Sequence, residues 1–62
     1  MIDEVVSHFG GTVALARMLN VRPPAVSQWI ANDGFPPFRA IEIELLSKGK
    51  FKAVDIIAKG DK

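Results

Sequence analysis

The chain has no cysteine, a single histidine and no long run of apolar residues. Without cysteine the fold cannot depend on disulfides, and the composition agrees with a reducing cytoplasm. His8 has no cysteine, second histidine or suitably spaced serine with which to form a metal site or a catalytic triad. No apolar segment approaches the ~18 residues that span a bilayer, and a start with Asp3 and Glu4 is unlike a secretory signal. We therefore expect a cytoplasmic protein, not associated with membranes.

A strong excess of charge is also missing, because eight basic and seven acidic residues give a formal net charge of +1. This balance is far from that of a protein that coats nucleic acid without sequence preference. The charges are nevertheless unevenly placed, with acidic residues at the start and five lysines crowding the other end: Lys48, Lys50, Lys52, Lys59 and Lys62. We interpret these lysines as a solvated surface near a frayed end at Gly60 to Lys62, in preference to a nucleic-acid contact.

The length of 62 residues predicts one small domain, residues 1–62, with 48% hydrophobic residues to form its core. A domain of this size buries only about 60% of its unfolded surface, so we expect modest stability. Glu42 and Glu44 stand two apart on a predicted helix and point in different directions, which does not suit an acid/base pair. With no phosphate loop and no pairing of a nucleophile with a base either, we expect no enzyme activity, no cofactor and no small-molecule ligand.

Hydrophobic periodicity predicts an all-α chain. Apolar residues at helical spacing place a first helix at about residues 2–9, which Gly10 and Gly11 end. Thr12 is predicted to cap a second helix, with apolar Val13, Leu15 and Leu19. This helix runs to Asn20, a residue type that tolerates positive φ and therefore suits a tight turn.

A third helix is predicted over about residues 23–31. Pro23 and Pro24 suit its first turn, where the missing N–H has no intrahelical partner. Helical spacing predicts a buried stripe of Val26, Trp29 and Ile30. Trp29 is therefore interpreted as a core residue and not as a base-stacking one.

The C-terminal part allows two structures. A fourth helix at about residues 37–47 and a short fifth helix or turn at Val54–Ile57 would give a five-helix domain. However, Ile41–Leu45 also alternates with a period of two, and Lys48–Lys50 resembles a hairpin turn, which would give an α+β fold with a C-terminal β-hairpin. Helix-forming residues and a C-cap at Gly49 favour the all-α alternative.

Three phenylalanines exceed what so small a core hides easily: Phe35, Phe38 and Phe51. They could form an exposed patch that a homodimer covers, or they could fold back onto the first helix as ordinary core. The sequence leaves both alternatives open.

Residues 12–31 fit the helix-turn-helix template, with small Ala16 where the helices touch and Asn20 at the turn. The outward face of the third helix and the preceding turn is then predicted to hold Arg22, Pro23, Pro24, Ser27, Gln28 and Ala31. Glutamine pairs bidentately with adenine and arginine with guanine, so Gln28 is the first candidate for base recognition in a major groove. Thr12 at the start of the second helix, and Arg17, are candidates for phosphate contacts.

Three segments carry a resemblance to a known family: His8-Phe9-Gly10, Ala14-Leu15-Ala16 and Ala25-Val26-Ser27-Gln28-Trp29. They resemble the Cro repressors of lambdoid phages and the related Cro/YdaS-like proteins. The tail resembles the all-helical branch of that family at Pro36, Ile43-Glu44, Gly49 and Phe51. Asn20 stands where the family commonly has glycine, and Pro23-Pro24 replace a usual polar pair.

The resemblance implies a sequence-specific repressor in a bacterial cell, carrying phage or prophage DNA, that binds double-stranded operator half-sites as a weak homodimer. The outward residues of the third helix would be its contacts. The alternative is a protein-interaction module of toxin–antitoxin type that uses the same helical unit, which the low net charge would allow.

Overall fold

The computed structural model describes residues 2–58, which form five helices. The helices are α1 (Ile2–His8), α2 (Thr12–Leu19), α3 (Pro23–Ala31), α4 (Pro37–Leu46) and α5 (Ala53–Ile56). The five-helix, all-α prediction is confirmed, and the hairpin alternative is wrong because Ile41–Leu45 lies inside α4 and Lys48–Lys50 belongs to the turn after it. The predicted frayed end at Gly60–Lys62 lies outside the described residues.

The first four helices end with the same C-terminal capping motif. In each, a residue with positive φ is followed by an N–H that donates to the carbonyl five residues earlier, which satisfies a carbonyl that the helix leaves free. The residues with positive φ are Gly10, Asn20, Asp33 and Lys48, and the donated bonds run from Gly11 to Val6, Val21 to Ala16, Gly34 to Trp29 and Gly49 to Glu44. The prediction for Asn20, with φ 59°, is therefore confirmed.

The predicted glycine C-cap at Gly49 differs from the structure by one position, and the residue with positive φ after α3 is likewise not a glycine. At the end of α3 it is Asp33, with φ 56°, that turns left-handed, and at the end of α4 it is Lys48, with φ 55°. Gly34 and Gly49 each follow as the residue that donates the five-residue bond. Glycine is needed at position 34 because the backbone there lies close to that of Ala58, a contact that sequence spacing does not show.

The predicted Thr12 cap is wrong. Gly11 occupies the cap position with φ 113° and ψ 176°, and no side chain caps the helix. The carbonyl of Gly11 accepts the N–H of Leu15 at 2.9 Å, so the helix already begins at Thr12. Three residues, Phe9, Gly10 and Gly11, separate α1 from α2, and the backbone conformation of Gly11 is one that glycine alone adopts readily.

The core is apolar and draws on every helix. Its largest fully buried side chains are Val5, Leu15, Val26, Phe35, Ile43 and Ile56, and no polar or charged residue is buried among the described residues. Phe35 and Phe51 are core residues, whereas Phe38 is 71% exposed, so the three phenylalanines do not share one environment. Val13 was expected on the apolar stripe of α2 but is exposed, because Leu15, Ala16 and Leu19 already cover the side that faces the core.

The chain after α5 is tied to the connection between α3 and α4. Phe35 donates its N–H to Ile56 at 2.8 Å, and Ala58 donates its N–H to Phe35 at 2.8 Å. These two bonds form an isolated parallel bridge between Phe35 and Ile57. A β-carbon on Gly34 would lie 2.4 Å from the Cα of Ala58, so only glycine allows the two backbones to approach this closely.

Two charged side chains hold α4 to its neighbours. The Arg39 guanidinium donates to the carbonyl of Leu19, at the end of α2, at 3.1 Å and to Glu42 at 2.7 Å. Glu44 accepts the N–H of Ala53, in the first turn of α5, at 2.8 Å. Glu42 and Glu44 are therefore not merely solvated charges, because both are half-buried and bonded within the fold.

Among residues 2–58, no helix is both long and apolar enough to cross a membrane.

Candidate nucleic-acid interface

The pair of helices α2 and α3 forms the predicted helix-turn-helix unit. The two helices pack against each other, and Ala16 is 1% exposed within the core. The turn between them contains Asn20 in the left-handed conformation, and Arg22 is in an extended conformation directly before α3. A small residue in the packed face and a left-handed residue in the turn are the features that allow two short helices to cross steeply.

The structure brings the predicted recognition residues to one exposed surface. All six of these residues are exposed: Arg22, Pro23, Pro24, Ser27, Gln28 and Ala31. Val26, between them in the chain, is fully buried and holds α3 to the core. The side of α3 that carries Ser27 and Gln28 is therefore open to solvent.

The buried side of α3 is narrower than predicted. Val26 is fully buried, but Trp29 and Ile30 are only partly buried against the core. The indole of Trp29 lies edge-on to the Phe35 ring, with 5.6 Å between the ring centroids and an angle of 63° between the planes. This contact fixes the end of α3 against the core, which agrees with a structural role for Trp29.

The two predicted phosphate contacts lie on α2, next to α3 in the chain. Thr12 is half-buried as the first residue of the helix, and Arg17 is exposed in its last turn. The first N–H groups of a helix have no intrahelical partner, so the start of α2 can offer backbone donors together with the Thr12 hydroxyl.

Asn32 is a candidate that the sequence pattern did not indicate. The sequence pattern places Asn32 after the end of α3. In the structure Asn32 is the C-cap residue of this helix and still has helical φ and ψ angles, −86° and −2°. It follows Gln28 by four residues and so lies on the same side of the helix. A carboxamide is suited to adenine, and this chemistry was the only signal in the sequence that could have identified Asn32.

The two crossed helices, with an exposed polar side on the second, define a helix-turn-helix domain of the DNA-binding class. The family model for the DNA-binding transcriptional regulator Cro matches residues 2–61, and the chain belongs to this family. No curated protein and no solved structure matches the chain. The family is one of DNA-binding transcriptional regulators and not of enzymes, which favours the DNA-binding interpretation over a protein-interaction module.

Proposed function

We propose that the protein is a sequence-specific repressor that places α3 in the major groove of operator DNA. It binds two half-sites as a dimer, in the cytoplasm of a bacterial host. The observation that carries this proposal is the exposed polar side of α3, with Ser27 and Gln28 next to the fully buried Val26. Membership of a family of DNA-binding regulators supports the same function.

Each contact follows from the chemistry of the side chain. Gln28 pairs with adenine, Arg22 with guanine, and the surfaces of Ala31 and the prolines meet thymine methyl groups. Pro23 and Pro24 have no side-chain donor, so base recognition rests on Ser27 and Gln28, with Asn32 one turn further along. Arg17 and the start of α2 at Thr12 bind phosphates and orient the helix without reading sequence.

The proposal is tested by Gln28→Ala on DNA selected by the protein from a pool of randomised duplexes. Removing a bidentate pairing should cost about 1–3 kcal/mol on the selected sequence and little on random DNA. Ser7→Ala is the matched control, because Ser7 is an exposed polar residue on α1 and outside the interface. Its affinity for both duplexes should equal that of the native protein.

Fluorescence anisotropy with both duplexes at several salt concentrations separates base recognition from charge. An equal decrease in affinity for Gln28→Ala on selected and random DNA would remove Gln28 from base recognition. Failure of the native protein to select any sequence would refute the proposal as a whole.

A further inference from the structure

The two ends of α3 are held by different parts of the chain. The helix packs against α2, and Val26 in its first half is fully buried. The last turn has no fully buried side chain of its own, because Trp29 and Ile30 are half-buried and Ala31 is exposed. The position of this end therefore depends on the contacts of the segment that follows α3.

A short segment near the end of the chain contacts that connection. Phe35 donates its N–H to the carbonyl of Ile56 at 2.8 Å, and the carbonyl of Phe35 accepts the N–H of Ala58 at 2.8 Å. The Phe35 ring lies edge-on to Trp29, and Gly34 donates its N–H to the Trp29 carbonyl at 3.1 Å. The C-terminal segment thus reaches the last turn of α3 through Gly34 and Phe35.

The strap, as we call residues 56–58, lies directly against the connection after α3. A β-carbon on Gly34 would lie 2.4 Å from the Cα of Ala58, so the two backbones are in contact. Gly34 is only two residues beyond Asn32, the C-cap of α3. Because peptide units are planar and rigid, a displacement of Gly34 is transmitted to Asn32. A change in the strap therefore reaches the residues that end α3.

We infer that the strap is a positioning element for base recognition, an inference that rests on the proposed function. It holds the last turn of α3 at the depth in the major groove at which Gln28 and Asn32 reach base edges. Recognition sites require their side chains to be held within about 0.5 Å of the productive geometry. The bond from the Ala58 N–H to Phe35 thereby controls how well the two carboxamides discriminate between bases.

The same geometry predicts which DNA contacts do not depend on the strap. Arg22 lies directly before α3, at the opposite end of the helix, and Arg17 lies on α2. Opening the strap should leave both arginines in place, so their contacts with DNA should persist. A loss confined to one half of the recognition surface is what separates positioning from a general loss of stability.

Ala58→Pro opens the strap, because proline has no N–H to donate to Phe35. The substitution suits the local backbone, since Ile57, with φ −70° and ψ 141°, already has the extended conformation that a residue before proline prefers. Ala58→Ser is the matched control, because it changes the side chain but keeps the N–H. Circular dichroism should show the same helix content for both variants, because the deleted bond lies outside all five helices.

The readout is affinity for a series of duplexes in which each base pair of the selected half-site is changed in turn. Gln28→Ala, Asn32→Ala and Arg22→Ala identify the positions that each side chain reads. Ala58→Pro should reduce discrimination by about tenfold at the positions read by Gln28 and Asn32. Discrimination at the Arg22 position, affinity for random duplex and the salt slope should stay as in Ala58→Ser.

Two outcomes of this series would overturn the inference and leave the proposed function standing. One is an equal loss of discrimination at every position, which a general loss of stability would cause. The other is unchanged discrimination at the positions read by Gln28 and Asn32. A native protein that selects no sequence would instead refute both proposals.

Amide hydrogen exchange of the native protein tests the same link without a substitution. If a closed strap favours binding, binding favours the closed strap by the same factor. The Ala58 N–H should therefore exchange about tenfold more slowly in the complex with the selected duplex. The N–H of Lys50, which donates to Ser47 in the turn after α4, is the control and should change little. Equal slowing at both positions, or unchanged exchange of the Ala58 N–H, would overturn the inference.

Discussion

At the scale of single residues, two backbone positions have requirements of different kinds. Gly34 is needed because of its neighbour: a β-carbon there would lie 2.4 Å from Cα and 2.7 Å from N of Ala58. At Lys48 the requirement concerns the backbone conformation: this residue has a side chain but adopts φ 55°, a conformation that suits glycine. One position therefore has no room for a side chain, and the other would be less strained without one.

Gly34→Ala should lower the free energy of unfolding by about 1–3 kcal/mol, because the new methyl group forces apart backbones joined by the Ala58–Phe35 hydrogen bond. Urea denaturation followed by circular dichroism measures the change. The double variant Gly34→Ala/Ala58→Gly should not recover stability, because the closest atoms at Ala58 are Cα and N. Recovery in the double variant would show that the clash involves the Ala58 methyl group instead.

Lys48→Gly should raise the free energy of unfolding by about 0.5–1 kcal/mol, because glycine adopts the left-handed conformation without steric cost. Lys52→Gly is the matched control: it removes the same charge from a residue with φ −81° and ψ 138°, where no strain is relieved. Thermal denaturation of both variants provides the comparison. Equal effects would indicate that the removed charge, and not the backbone, controls stability.

At the scale of helices, the ends of α2 and α4 are joined by one side chain. The last carbonyls of α2 need donor partners, and Arg39 of α4 supplies a donor to Leu19 at 3.1 Å. The guanidinium also places positive charge at the C-terminal end of α2, where the helix dipole favours it. Because α2 leads directly into the turn before α3, this bond helps to hold the helix-turn-helix unit on the rest of the domain.

Arg39→Met should destabilise the protein by about 1–2 kcal/mol, because it keeps much of the apolar stem but leaves the Leu19 carbonyl without its donor. Glu42→Gln is the control for the ion pair, whose side chains are 29% and 34% exposed, so its removal should cost less than about 1 kcal/mol. Guanidinium denaturation of both variants tests the difference. A Glu42→Gln effect as large as that of Arg39→Met would assign the stability to the ion pair.

At the scale of the whole molecule, DNA affinity has to come from where the charges lie and not from their sum. The net charge is +1, while Arg17 is exposed in the last turn of α2, Arg22 is exposed directly before α3, and Asp3 and Glu4 are exposed on the first turn of α1. A phosphate backbone that approaches α3 would therefore be attracted by these two arginines, because the rest of the chain carries no net positive charge that could add to the attraction. The salt dependence of binding should report these few local contacts.

Arg17→Gln and Arg22→Gln should each reduce the slope of log affinity against log salt by about 0.9, the value expected when one phosphate is no longer neutralised. Lys52→Gln is the control for the C-terminal lysines and should leave the slope unchanged. Titration of random-sequence duplex with salt measures all three. A reduced slope for Lys52→Gln would place the lysine-rich segment on DNA, contrary to our interpretation of it as a solvated surface.

The sequence by itself determined the features that depend on neighbours a few residues apart. Helical spacing located the helices, residue type placed the left-handed turn at Asn20, and the same spacing separated exposed Ser27 and Gln28 from buried Val26. These features follow from the geometry of a single helix or turn, so they can be read from the chain without knowing what packs against it.

Only the tertiary structure decided the contacts between segments distant in the chain. Gly34 lies close to Ala58, Arg39 donates to the carbonyl of Leu19, and Phe38 is exposed. No local sequence pattern predicts these contacts or this exposure. A phenylalanine buried at position 35 and one exposed at position 38 have the same hydrophobicity. Their environments differ because a small core has room for only some of its apolar residues, and packing of the whole chain selects which ones.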